Sequence, residues 1–215
     1  MSTDRTIDTA TAIGWLREFA RVVGENAQYL TDLDAAVGDA DHGLNMDRGM
    51  KAVIATLDEA APPDLQALFK KVGMTLVSSV GGASGPLYGT LFLRMAPAFG
   101  TGAADAAEFA KALRAGVDGV VARGRAEAGD KTMFDALAPA LDALDGALAS
   151  GKDLGSALAE ASAAADAGRD ATESMVARKG RASYLGQRSV GHIDPGATSS
   201  AMLIATAATT FGTSG

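Results

Sequence analysis

Cysteine is absent from all 215 residues, which excludes disulfides and thiolate chemistry and leads us to expect a cytoplasmic location. Aromatic residues are scarce, 5% of the chain beside 47% apolar residues in total. A β-sandwich would want aromatics together with Val, Ile and Thr, whereas the abundant alanine here suits closely packed helices. Cations are outnumbered, with 19 Lys and Arg against 26 Asp and Glu and a net charge of −7. That balance gives no reason to expect nucleic acid or an anionic membrane surface as a partner. Long apolar runs are missing as well. The richest, Ala201 to Phe211, is too short and too rich in threonine to span a bilayer. The opening Met1-Ser2-Thr3-Asp4-Arg5-Thr6 lacks the apolar core of a signal peptide. Length and composition fit one domain over residues 1–215 with a core of its own.

What is present is helical periodicity. Apolar residues at 13, 16, 20, 23, 27 and 30 predict an amphipathic helix from Ile13 to Leu30. A second carries Met46, Met50, Val53, Ile54 and Leu57 and stops at Pro62-Pro63; a third runs from Asp64 towards Gly81-Gly82. Ser84-Gly85-Pro86 opens a fourth with Leu87, Leu91 and Met95, and Asp105 caps a fifth with Phe109, Leu113, Val117 and Val120. Thr132 and Asp135 have the spacing of a capping box, ahead of a sixth helix with Leu137, Leu141, Leu144 and Leu148. A seventh covers 153–178 and an eighth follows Pro195. No period-two strand is evident, so the class is all-α, with the short Gly-containing loops of an antiparallel bundle.

Three aspartates stand close together in Asp34…Gly38-Asp39-Ala40-Asp41-His42-Gly43-Leu44-Asn45. Such crowding costs about 1 kcal/mol or more per close pair unless a cation sits among them. Carboxylate oxygens suit Mg²⁺, which takes one or two of them together with waters and phosphates. A solvated acidic loop is the plain alternative. An EF-hand fails, because its glycine and glutamate positions hold Leu44 and Met50. Glycine-rich polar segments recur before predicted helices at 38–45, 81–90, 124–132 and 180–196. Free N–H groups and the helix dipole make such termini anion sites, although some of these glycines serve as ordinary C-caps. In an up-and-down bundle, alternate loops share one end and can converge on one phosphate-bearing ligand. Gly124 to Thr132 nearly matches a P-loop, but Asp130 interrupts it and no strand precedes it; no dinucleotide fingerprint follows a strand either. Both histidines, His42 and His192, lie in glycine-bearing polar motifs, and Arg178, Lys179, Arg181 and Arg188 form the richest basic cluster. Arginine's planar fork suits phosphate.

Together these segments resemble the nucleotide-binding L subunit of dihydroxyacetone kinases. The resemblance rests on the Asp34–Met46 run, Gly81-Gly82-Ala83-Ser84-Gly85-Pro86-Leu87-Tyr88-Gly89-Thr90, Gly129-Asp130-Lys131-Thr132-Met133, and the stretch from Arg178 to Ala197. These runs occur in the family's order. The resemblance implies a barrel of eight antiparallel amphipathic helices with ADP or ATP at one end. It implies Asp34, Asp39 and Asp41 as catalytic ligands of two Mg²⁺ ions. His42, Asn45, Ala83 and Ser84 would approach the phosphates, Leu87, Gly124 and Met133 would shape the adenine pocket, and Arg181, Asp194 and Pro195 would belong to a lid. Ala83 departs from the family's Gly-Gly-Thr-Ser-Gly, a change that spares backbone contacts and removes a side-chain contact.

The implied chemistry is phosphoryl transfer to dihydroxyacetone or a similar short ketose, held by a separate K subunit. Two donors fit the family: bound ADP rephosphorylated by a phosphotransferase-system protein, or ATP consumed as substrate. A stand-alone L-type chain favours the first. Rival readings are a phosphate carrier at His42, a non-catalytic nucleotide-dependent regulator of a partner, and a purely structural bundle. A homodimer is an expected assembly.

Overall fold

Apolar residues three and four apart place one stripe of each helix inward, and the computed structural model of this protein, described here for residues 6–212, is built from such stripes. The N-terminal segment read for a leader and the ends of the 1–215 domain lie outside the described residues.

Among the described residues nine α-helices follow one another. They are α1 (Thr9–Glu25), α2 (Ala27–Val37), α3 (His42–Glu59), α4 (Leu65–Ser79), α5 (Ser84–Met95), α6 (Ala106–Gly124), α7 (Met133–Ala149), α8 (Leu154–Ala171) and α9 (Pro195–Gly212). No strand is present among them. The one bridge is an antiparallel pair between Ile7 and Ala104. Among the described residues no helix is long and apolar enough to cross a membrane.

The caps read from the sequence at Asp105 and Thr132 form, each as a complete capping box, with Glu108 and Asp135. Asp64, read only as the start of a helix, is also a cap and accepts from the Ala67 N–H. The first helix starts at Thr9 rather than Ile13, capped by Asp8, and three further boundaries differ from the periodicity. The helix expected over 13–30 is interrupted at Asn26, whose side-chain amide donates to the Val22 carbonyl and competes with the regular ladder. The chain then resumes as α2 and runs to Val37, which moves Asp34 from a loop onto the last turn of a helix. The helix expected to reach 178 ends at Ala171, because the carbonyls of Thr172 and Met175 turn to the buried Lys131 ammonium.

Helix neighbours follow a closed order. From α3 onward each helix packs on the next as far as α9, α9 packs on α1, and α1 packs on α3. This order is what a ring of helices requires; α2 lies outside it, against α3. Gly43 lets α2 and α3 meet, since a Cβ there would collide with the Ala27 carbonyl.

The few aromatics are concentrated in the core. Trp15 is fully buried, its indole N–H donating to the Leu203 carbonyl at 3.1 Å. Phe69, Phe92, Phe109 and Phe211 surround it at centroid distances of 5.6–6.2 Å, tilted or edge-on. These rings come from five helices, and such pairs are worth about 0.5–1.5 kcal/mol each beyond their buried area.

Candidate functional site

Four loops, 38–41, 80–83, 125–132 and 172–194, border one cavity of about 410 Å³. All three non-glycine residues with positive φ among the described residues, Ala40, Arg125 and Lys131, lie in these loops. Backbone held in this sparsely populated region costs of order 1–3 kcal/mol and concentrates at ligand sites.

The acidic corner is built by the end of α2 and the turn into α3. One carboxylate oxygen from each of Asp34, Asp39 and Asp41 lies within 4.8 Å of the others. Asp34 is buried and fixed, its Oδ2 accepting from the N–H groups of Asp41 at 2.9 Å and His42 at 3.1 Å. Gly38 is required beside it, because a Cβ there would strike Asp34 Oδ1. Asp39 faces the opposite loop, where Arg181 Nη2 lies 3.1 Å from its Oδ2. Hard oxygen donors gathered this closely fit a divalent cation by both charge and ligand type.

His42 stands at the start of α3 with both ring nitrogens engaged, Nδ1 at 2.9 Å from Ser84 Oγ and Nε2 at 2.9 Å from Ser199 Oγ. Burial pushes its pKa down, against the raising pull of Asp34 and Asp41, so the ring is held neutral. Ser84 opens α5, whose first-turn N–H groups have no partners within the helix. Apolar wall is supplied by Val37, Pro86, Leu87, Val120, Ala126 and Met133, with Gly124 and Arg123 beside them.

The fourth side is a flap, residues 172–194, containing a 3-10 stretch, Arg181–Ser189, broken at Gly186. Ala177, Ala182 and Leu185 seat it on Val37 at the end of α2. Its base is tied by Lys131, which is buried and whose ammonium donates to the carbonyls of Thr172 (2.7 Å), Met175 (3.3 Å) and His192. Asp194 closes the flap as the N-cap of α9, accepting from the Ala197 N–H at 2.7 Å, with Pro195 in the first turn. Burial pushes Asp194 up to about 7, opposed by the Ala197 N–H and by Lys131. The Lys131 pKa is in turn lowered by burial, against the pull of Asp194 and Glu173.

Of the residues singled out from the sequence, Asp34, Asp39, Asp41, His42, Ala83, Ser84, Leu87, Gly124, Met133, Arg181, Asp194 and Pro195 all line this cavity. Asn45 does not. Its Oδ1 accepts from Arg48 Nη2 at 2.6 Å and lies 3.0 Å from where a Cβ at Gly81 would stand. The sequence reading gave no role to Lys131, Thr132, Tyr88 or Arg123, which also line the cavity, nor to Ser199 behind it. Lys131 was visible inside its motif, and Thr198-Ser199-Ser200 is a run of three consecutive hydroxyl residues in the first turns of α9.

A family model described as the DAK2 domain matches residues 36–209. The ADP-binding subunit DhaL of PEP-dependent dihydroxyacetone kinase 1 from Listeria innocua is 47% identical over 198 residues, 92% of this chain and 94% of its own length. The corresponding subunit of the PTS-dependent dihydroxyacetone kinase of Lactococcus lactis is 44% identical over 201 residues, 94% of this chain and 96% of that one. Among solved structures, the dihydroxyacetone kinase of C. freundii in complex with AMP-PNP and Mg²⁺ superposes with a TM-score of 0.72 at 28% identity. The match covers 97% of this chain and 36% of that much longer one.

Proposed function

The chain belongs to the DAK2 domain family, and on that premise we propose that it is the ADP-binding, phosphoryl-transferring subunit of a dihydroxyacetone kinase. In this reading residues 1–215 form one nucleotide-binding domain that works in the cytoplasm, and a separate K subunit holds dihydroxyacetone or a similar short ketose. The observation that carries the reading is the meeting of three aspartate oxygens, within 4.8 Å of one another, in the lining of a cavity whose wall is largely apolar. That combination supplies both a charged site for metal and phosphate and an apolar surface for a base.

Asp34, Asp39 and Asp41 would hold two Mg²⁺ ions, which when bound neutralise charge on phosphate oxygens. The chain's own residues do the positioning. Asp34 is preset by two backbone N–H groups, and the first turn of α5 offers unpaired N–H donors to an anion. Leu87, Val120 and Met133 supply apolar surface for a base, and the flap with Arg181 closes over the charged end, lowering the local dielectric and excluding water. In the transfer a ketose hydroxyl oxygen bonds to the terminal phosphorus. The bond from that phosphorus to the bridging oxygen breaks, that oxygen stays with ADP, and the hydroxyl proton passes to solvent water. A phosphohistidine at His42 is disfavoured, because both ring nitrogens are already in hydrogen bonds.

For the donor, a phosphotransferase-system protein that recharges bound ADP is preferred, by analogy with relatives named PEP-dependent and PTS-dependent at nearly full length. Consumption of ATP is the second reading, favoured by the AMP-PNP complex of the C. freundii kinase. Denaturing purified protein and identifying the released nucleotide, then offering Mg²⁺-ATP to native protein, tests both. Stoichiometric ADP that resists exchange is the expected result. An empty site that takes Mg²⁺-ATP reversibly favours the second donor, and no binding at all by folded protein with Mg²⁺ overturns the kinase reading.

A further inference from the structure

Behind the acidic end of the cavity, side chains from α3, α5 and α9 form one hydrogen-bonded chain. Ser84 Oγ and Ser199 Oγ flank the His42 ring, each at 2.9 Å. Tyr88 Oη lies 2.7 Å from Ser199 Oγ and 3.1 Å from Ser200 Oγ. Ser199 Oγ also lies 3.1 Å from the Gly196 carbonyl, one turn back along α9. His42, Tyr88, Ser199 and Ser200 are all buried, so water does not supply alternative partners.

With Ser199 bonded to the Gly196 carbonyl, counting hydrogens sets the other directions. A hydroxyl has one hydrogen to give and a carbonyl can only accept. Ser199 therefore donates to Gly196 and accepts from its two other neighbours. Tyr88 donates to Ser199, and Ser200 donates to Tyr88. His42 must carry its hydrogen on Nε2 to donate to Ser199, which leaves Nδ1 of the neutral ring as an acceptor, and Ser84 donates to it.

We infer that Ser199 is a positioning residue for the phosphoryl transfer proposed above, acting by locking His42 in the Nε2–H tautomer so that the Ser84 hydroxyl hydrogen is drawn away from the cavity. Ser84 then presents oxygen lone pairs to the pocket, and the donors facing an anion at that helix start are backbone N–H groups alone. The other tautomer would reverse the bond: Nδ1–H would donate to Ser84, and the serine hydrogen would turn into the cavity. A residue that touches neither nucleotide nor metal thus decides whether a cavity-lining hydroxyl gives or receives.

The tautomer belongs to the ligand-free protein and is read directly from ring ¹⁵N shifts of histidine-labelled chain at pH 8, above the ordinary imidazole range of about 6.5. With two histidines in the chain, His192→Gln assigns the pair of ring signals. The expected wild-type signal has His42 protonated on Nε2. Ser199→Ala removes the acceptor of Nε2–H and moves the signal towards Nδ1–H, whereas Tyr88→Phe leaves the wild-type tautomer in place. In the assembled kinase, Ser199→Ala lowers kcat about tenfold, with the nucleotide Kd within about twofold of wild type. Nδ1 protonation in the wild type overturns the inference without needing any variant to fold. Wild-type tautomer and turnover in Ser199→Ala overturn it as well. Absence of nucleotide binding by the wild type would instead overturn the kinase reading, while the spectrum still decides the tautomer.

Discussion

Arg181 Nη2 reaches across the mouth of the cavity to within 3.1 Å of Asp39 Oδ2, joining the flap to one of the three clustered carboxylates. Both partners are solvent-accessible, with side-chain exposures of 68% and 37%. Exposed pairs contribute about 0–1 kcal/mol. Arg181→Gln is therefore expected to shift Tm by no more than about 2–4 °C, a scale set by about 1 kcal/mol in a chain of this size. If the arginine's role is to hold the flap over bound nucleotide, dissociation should nevertheless quicken several-fold in stopped-flow displacement. An unchanged off-rate would remove Arg181 from that role.

Divalent cations should stabilise the folded chain, and the three aspartates should be the reason. A ligand at one hundred times its Kd adds about 2.7 kcal/mol. Mg²⁺ with ADP is expected to raise the melting temperature of wild type by several degrees and that of Asp41→Asn by much less. Without divalent ions, the same substitution should be neutral or mildly stabilising, because it relieves carboxylate repulsion. Scanning calorimetry with and without EDTA distinguishes these cases, and a Mg²⁺ response undiminished from wild type in Asp34→Asn, Asp39→Asn and Asp41→Asn would contradict the metal assignment.

Asp194 gives the metal-free protein a pH dependence of definite sign. Its folded pKa is raised to about 7 from 3.8, so the folded state keeps a proton that the unfolded chain releases. The stabilising contribution is complete below about pH 4 and is lost as pH climbs through 7, with a limiting slope of about 1.4 kcal/mol per pH unit. Asp194→Asn retains an oxygen for the Ala197 N–H and should remove that slope. Urea midpoints in EDTA at pH 5 and pH 7.5 are the measurement: the wild type loses more stability between them than the variant does.

Lys131 spends its ammonium hydrogens on carbonyls of Thr172, Met175 and His192, and none is left for a phosphate. Lys131→Met should leave those carbonyls without a donor while keeping most of the side-chain volume. Hydrogen exchange is expected to accelerate through 172–194 and to stay near wild type in α1 and α4–α6. Uniform loss of protection would show that the lysine supports the whole bundle rather than the flap.

Much of this was legible locally. The stripes of α3 to α7, the Asp105 cap and the Thr132–Asp135 capping box all depend on residues a few positions apart, where periodicity and capping rules operate. The acidic cluster could be found for the same reason. What escaped depends on distant partners. Nothing near Ala171 announces the end of α8, because the lysine that takes the following carbonyls lies 41 and 44 residues away. Ser199 meets His42 across 157 residues. Asn45 shows the converse. It sits in the right motif, but its position on α3 turns it to Arg48 and the glycine turn rather than into the cavity.

The single tryptophan of the chain has an optical consequence. Trp15 is fully buried and sealed among phenylalanine rings, with its indole N–H tied to a carbonyl. Its emission should be blue-shifted, insensitive to iodide, and red-shifted only when the helices themselves come apart. Tyr184, 88% exposed on the flap, is a weak emitter that does not compete with it. Intrinsic fluorescence will therefore follow the melting of the bundle and stay silent through opening and closing of the flap, so an extrinsic dye on the flap would be needed to see that motion.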